Sequence, residues 1–232
     1  MKTGLYEREI SIESTHLHLQ SDLSLDIDDF IRTQRTIISN EIIRNPDFKG
    51  YEPVDLMDSP RILKLMTNAG QIAEIGPMSS VAGSISQVCM EYLVEHNSQY
   101  SVLENGGDIA LRTDRKIILG VYAGESVFTD EIALKLKAKR DGYGICTSSG
   151  SVGPSKSFGK TDATIVFSKT ASIADSLATR IANYGNGHND DEIVNASLEK
   201  AEEYREHFDG VIVIKGEYMA KIGHIPKIIS VG

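Results

Sequence analysis

The stretch GPMSSVAGSISQVCMEYL, residues 76–93, followed by SVLENGGDIALRT, residues 101–113, decides the fold. In the first, Pro77 stands where the opening turn of a helix tolerates it, because the N–H it lacks would have no partner there. Met78, Val81, Ala82, Ile85, Val88, Cys89, Tyr92 and Leu93 then recur at helical spacing, which predicts a buried helix over about 76–95. Its stripe is rich in small residues (Ala82, Gly83, Ser84), so a second backbone is expected close to it. The second stretch switches to short β-type runs, Ser101-Val102-Leu103 and Ile109-Ala110-Leu111, around a glycine pair.

Outward from this core the pattern continues. Residues 5–20 read as a hairpin turned near Glu13-Ser14, with Ile10, Ile12, Leu17 and Leu19 on its apolar face. From Ser24 the period becomes helical through Ile27, Phe30, Ile31, Ile37, Ile38 and Ile42, and Asp26, Asp28 and Asp29 favour the positive N-terminal end. Pro46 stops that helix, and another is expected over about 60–73. Strands are expected at Ile117 to Tyr122, Ile132 to Ala138, Gly144 to Cys146 and Ala163 to Phe167, with a turn at Thr113-Asp114-Arg115. Helices at about 171–184 and 190–207 and strands at Val211 to Ile214 and about 225–230 complete the reading. No repeat or linker interrupts it, so the expectation is one α+β domain over 1–232, a mixed or antiparallel sheet packed against helices.

Composition narrows the function classes. With 232 residues, 41% apolar and 25% charged, the chain has the make-up of a soluble globular protein and can bury a core without metals or disulfides. The net charge of −9, from 24 Lys+Arg against 33 Asp+Glu, argues against a nucleic-acid partner, since an acidic surface repels phosphate backbones. No apolar run reaches the roughly 20 residues of a membrane helix. Glu7 and Glu9 stand where a secretory signal would be apolar, so a cytoplasmic protein with no membrane partner is expected. Cys89 and Cys146 are read as two reduced thiols.

Three segments can carry chemistry. In Glu104-Asn105-Gly106-Gly107-Asp108, the glycines permit positive φ and close approach of a ligand, and Asp108 offers a carboxylate; a plain hairpin turn explains the same residues. The run from Cys146 through Thr147, Ser148, Ser149 and Gly150 to Ser157-Phe158-Gly159-Lys160 is rich in hydroxyls and glycine and can wrap a phosphate; a flexible polar loop is the alternative. It is no Walker A loop, because Pro154 stands where the first glycine belongs, and it contains no nucleophile elbow. In Ser172-Ile173-Ala174-Asp175-Ser176-Leu177-Ala178-Thr179, Asp175 and Thr179 stack one helical turn apart and form a partial oxygen cage for Mg²⁺; a capping box from Ser172 to Asp175 is the competing explanation. His16 and His18 share a strand face with no ligand partner nearby and read as surface residues, while His188, in a loop, has no assigned role.

Taken in order, Gly76-Pro77-Met78 with its small-residue helix, Glu104 to Asp108, Cys146 to Gly150, Ser157 to Ala163 and Ala174 to Thr179 resemble the ApbE-like superfamily, over about residues 5–230. The resemblance is nearest to its short, uncharacterised cytosolic branch. ApbE proteins are FAD-dependent, Mg²⁺-requiring transferases that attach FMN to a threonine or serine of a partner protein. The resemblance implies that Asp175 and Thr179 match the metal-binding A-D-x-x-A-T helix. It further implies that Gly106, Gly107 and Asp108 line the nucleotide pocket, and that Thr147, Ser148 and Gly150 lie near the diphosphate. The family's H-[IV]-I-D-P stretch is missing: no histidine lies between Gly150 and Ala163, and Lys160 and Asp162 stand in its place as the candidate catalytic residues. That departure predicts loss of the standard FMN transfer. The expected function is a flavin or nucleotide-diphosphate pocket with Mg²⁺ and phosphoryl-type chemistry. The alternatives are a non-catalytic flavin or nucleotide-binding protein and a homo-oligomeric scaffold using helix 76–95.

Overall fold

The computed structural model describes residues 4–150 and 159–231. Five helices lie among them: α1 (Asp28–Arg44), α2 (Arg61–Ala73), α3 (Val81–Glu95), α4 (Ala171–Tyr184) and α5 (Asp190–Glu202). The strands are β1 (Tyr6–Ile12), β2 (Thr15–Ser21), β3 (Ser101–Asn105), β4 (Asp108–Thr113), β5 (Ile117–Gly120), β6 (Ile132–Leu136), β7 (Lys139–Ser148), β8 (Ala163–Ser168), β9 (Gly210–Lys215), β10 (Tyr218–Gly223) and β11 (Lys227–Ser230). Eight of them form one sheet in the order β1-β2-β3-β4-β7-β8-β9-β10, and β11-β6-β5 form a second. Every pairing among the described residues is antiparallel, which makes this an antiparallel α+β fold.

The central strands show why the large sheet is covered on both sides. In β9, Val211 and Val213 enter the core beneath the helices, while Ile212 and Ile214 join the opposite core. Strands apolar on both faces need cover on both. Helices α3 and α4 cover one face, with Ile85, Leu93, Leu177 and Ile181 against Leu103, Ala110 and Val166. The small sheet covers the other, with Ile117, Leu134 and Leu136 against Leu111, Ile145 and Phe167.

Several boundaries differ from the sequence reading. The helix expected over 76–95 opens with a 3₁₀ turn at Pro77–Ser80 and becomes α-helical at Val81. The last helix ends at Glu202 rather than near 207. Strand β10 was not expected; it folds back on β9 around Gly216, whose φ of 56° suits glycine. The small residues of α3 are used within the chain. A Cβ on Gly83 would lie 2.6 Å from the Ala171 carbonyl oxygen, and one on Gly144 of β7 would lie 2.4 Å from the Ala171 Cα. The start of α4 is thus wedged between α3 and β7, so the small-residue stripe gives no support to an oligomer interface. Among the described residues, no helix is long and apolar enough to cross a membrane.

Candidate functional site

The hairpin turn and the carboxylate prove to be one device. Gly106 and Gly107, with φ of 65° and 98°, connect β3 to β4 in two residues, the geometry that primed hairpin turns demand. The turn places Asp108 at the start of β4, in register with Cys146 of β7, and Ser86 of α3 donates to the Asp108 backbone oxygen at 3.0 Å. The Asp108 carboxyl is buried, and its Oδ1 has no hydrogen-bond partner. Burial pushes its pKa up to about 7, with the Cys146 thiol and the Thr147 backbone N–H pulling the other way.

Asp175 arrives from the other layer. It lies in the second turn of α4, and its Oδ2 accepts from the Gly83 backbone N–H at 2.8 Å. This overturns the capping-box reading: α4 begins at Ala171, Thr170 holds the cap position without a side-chain bond, and Ser172 Oγ has no partner. Burial, and then the facing Asp108, raise the Asp175 carboxyl well above the ordinary carboxylate range. Cys146 is pushed up for the same reasons, burial first and the two carboxylates after it. Its Sγ donates to the Ala171 carbonyl at 3.2 Å.

Asp108 and Asp175 stand at the wall of a cleft of about 760 Å³, together with Gly76, Ser79, Ala82 and Thr179. That volume lies within the range of small-molecule sites. Thr179 is therefore on the same cleft as Asp175, one helical turn along. Among the described residues no three His, Cys, Asp or Glu side chains form a metal-holding group. A cation here would rest on Asp108, Asp175, the Thr179 hydroxyl and oxygens brought by backbone, water or ligand. The donor set fits Mg²⁺: it consists of hard oxygens, and one buried carboxylate oxygen is left without a partner.

The remaining expected site residues are placed differently. Gly107 packs beside Thr147, at 3.9 Å from a Cβ on the glycine to the Thr147 Cβ, so the glycine turn and the end of β7 adjoin. Thr147 and Ser148 close β7, and Gly150 N–H donates to the Thr161 carbonyl at 2.9 Å. Lys160 is exposed, with its Nζ donating to the Gly187 carbonyl at 3.1 Å. Asp162 is buried away from the cleft: Lys215 Nζ donates to its Oδ1 and the Gly216 N–H to its Oδ2, both at 2.8 Å. Of the expected site residues, Asp108, Asp175 and Thr179 are among the described residues lining the cleft, whereas Gly106, Gly107, Thr147, Ser148, Gly150, Lys160 and Asp162 are not. The polar run over 151–158 lies outside the described residues.

Sequence reasoning missed Arg180, Asn183 and Glu74, which also line the cleft. For Asn183 the signal was present, since it stands at i+8 from Asp175 and i+4 from Thr179 on one helical face. Glu74 could not be found that way, because it ends α2, 106 residues from its partner Arg180.

A family model described as "AbpE bacteria" matches residues 5–209. The chain belongs to the ApbE-like family. A UPF0280 protein of Methanosphaera stadtmanae is 55% identical over 231 residues, spanning 99% of this chain and 94% of that protein. Another, from Methanothermobacter thermautotrophicus, is 42% identical over 228 residues, 97% and 88% of the two chains. Among solved structures, the flavin transferase ApbE of Vibrio cholerae superposes with a TM-score of 0.60 at 11% identity, covering 94% of this chain and 96% of its own. The flavinyl transferase ApbE of Pseudomonas stutzeri, in its apo form, gives 0.56 at 10% identity and covers 94% and 93%. At such identities the likeness carries the ApbE-like fold and nothing finer.

Proposed function

We propose that the cleft binds a flavin nucleotide, or a related diphosphate, together with Mg²⁺, and that any reaction there is phosphoryl-type chemistry at the diphosphate. The observation that carries this reading is the pair of buried carboxylates at the cleft wall, Asp108 and Asp175, with Oδ1 of Asp108 left without a partner, and with burial and then the Asp108 charge pushing the Asp175 carboxyl up. Two facing acids are costly in a low-dielectric site unless a cation or a proton compensates them. Asp175 and Thr179 hold the metal from α4, and Asp108 faces it from β4. When bound, the cation neutralises phosphate oxygens. Gly106 and Gly107 turn the chain into Asp108 beside the cleft, and Thr147, Ser148 and Gly150, at and just past the end of β7, are assigned to the ligand's diphosphate from outside the described lining. The acidic chain, among whose described residues no helix is long and apolar enough to cross a membrane, fits a cytoplasmic protein acting on a small molecule rather than on nucleic acid or a membrane.

A second reading, a binding protein without catalysis, is favoured by Asp162. Of the two residues in the place of the family's histidine and aspartate, Lys160 is exposed and can turn, but Asp162 is committed to Lys215 and Gly216. Two measurements test both readings. Melting curves of the purified protein with FAD and millimolar Mg²⁺ should show a ligand-dependent rise; no rise with any flavin nucleotide would end the first proposal. Mass spectrometry after incubation with FAD, Mg²⁺ and an acceptor peptide should find no FMN adduct. An adduct would show that the missing histidine is dispensable.

A further inference from the structure

Arg180 follows Thr179 directly on α4 and lines the same cleft. Its guanidinium is already held: Nε donates to the Tyr204 hydroxyl and Nη2 to Glu74 Oε2, each at 3.1 Å. The Tyr204 hydroxyl donates to that same Glu74 oxygen at 3.0 Å, which closes a triangle. Tyr204 is buried, whereas Glu74 is exposed and holds a left-handed φ of 54° at the end of α2. The guanidinium carbon also lies 5.1 Å from the centre of the Tyr184 ring. An arginine restrained at three points has lost much of its rotamer freedom before a ligand arrives, so binding has less entropy to overcome. Two of its five N–H donors make these bonds, and the planar fork suits phosphate oxygens.

The charges of the cleft give this arginine its role. Its described lining carries the acids Glu52, Glu74, Asp108 and Asp175 and the bases Lys49 and Arg180. Lys49 is exposed, while Arg180 is half-buried on the helix that carries Asp175 and Thr179. Five residues of α-helix separate Asp175 from Arg180, a rise of about 7.5 Å. Both residues line the cleft, so a cation on Asp175 and the Arg180 guanidinium are open to one ligand from different turns of the helix. A single phosphate can meet one of them fully; two linked phosphates can meet both.

We infer that Arg180 is a specificity-determining anion anchor, positioned by Tyr204 and Glu74, that makes the cleft select a diphosphate ligand over a monophosphate one. The inference rests on the reading of the cleft as a Mg²⁺-dependent nucleotide site. Isothermal titration with FAD and with FMN, each at millimolar Mg²⁺, tests it on wild type, Arg180→Gln and Arg180→Lys. Wild type should bind FAD more tightly than FMN. Arg180→Gln should weaken FAD by about tenfold to a hundredfold, the worth of charge-assisted hydrogen bonds, and leave FMN nearly unchanged. Arg180→Lys, which keeps the charge and loses the fork, should fall between them, and it carries the test if Arg180→Gln does not fold. Inorganic pyrophosphate should displace FAD from wild type at lower concentration than phosphate does, a difference Arg180→Gln should lose; this separates the phosphates from the adenosine. Wild type binding FAD while Arg180→Gln binds both flavins as wild type does would overturn this inference alone. Equal weakening of FAD and FMN would also overturn it. Wild type binding neither flavin would overturn the inference together with the reading of the cleft.

Discussion

Among the described residues, two places bury carboxylates, and they treat them oppositely. Asp162 has a cation and a backbone N–H at 2.8 Å, one for each oxygen. Asp108 and Asp175 have each other, a few neutral donors and an oxygen with no partner. The first arrangement is complete as the chain folds. The second is complete only with a proton or a cation from outside. A buried acid that the fold has satisfied serves the fold, and one that it has left short needs a proton, a water or an ion to complete it.

The sharpest way to break the comparison is Asp162→Ala. It leaves the partly buried Lys215 ammonium unpaired and should cost about 3 kcal/mol, or a fall in Tm of about 6–12 °C for a chain of this size. Lys215→Met in the same background should restore part of it. A fall of only a degree or two would remove the structural role given to this pair.

Asp175→Asn should behave in the opposite sense. It relieves a like-charge contact, so the metal-free Tm should stay within a few degrees of wild type. At a ligand excess of about a hundredfold over Kd, wild type should gain about 2.7 kcal/mol, or roughly 5–10 °C, from Mg²⁺ and FAD. Asp175→Asn should lose that gain, and an intact response would place the metal elsewhere.

The pair also sets a pH dependence. Both carboxyls are raised in the folded state, Asp108 to about 7, so the folded protein holds protons that the unfolded chain releases near pH 4. Their contribution to stability is full below the unfolded value and is lost as pH rises through the folded ones. Metal-free Tm should therefore fall between about pH 4 and pH 7 and beyond, relative to Asp108→Asn, and Mg²⁺ with FAD should flatten that slope. Identical slopes in wild type and variant would show that Asp108 does not hold such a proton. The smallest effect belongs to Thr179→Val, which removes one neutral oxygen. It should retain part of the Mg²⁺ response that Asp175→Asn loses, as read in the same melting curves.

What the sequence made legible was whatever repeats at short range. Helical spacing found α1 to α5, and the apolar runs found β8 and β9, because burial imposes a period on the chain. Strand β10 escaped because Tyr218, Lys221 and a glycine at each side carry no clear alternation, and its pairing with β9 supplies the strand. At the site, the Gly106-Gly107 turn and the Asp175/Thr179 spacing were readable. The bond from Gly83 to Asp175 was not, since it joins positions 92 residues apart. That bond, and not a helix cap, is what Asp175 makes. The bond from Lys215 to Asp162 was hidden for the same reason, because the two lie 53 residues apart.

The thiol of Cys146 sits directly across the β4–β7 ladder from Asp108, with the start of α4 above it. Cys89 is enclosed within α3, and burial raises both thiols. A neutral, enclosed sulfur is a poor nucleophile. An alkylating reagent thus has to wait for the carboxylate floor and α4 to part, and the rate at which Cys146 becomes modified is a clock for that opening, set into the molecule without any engineered probe.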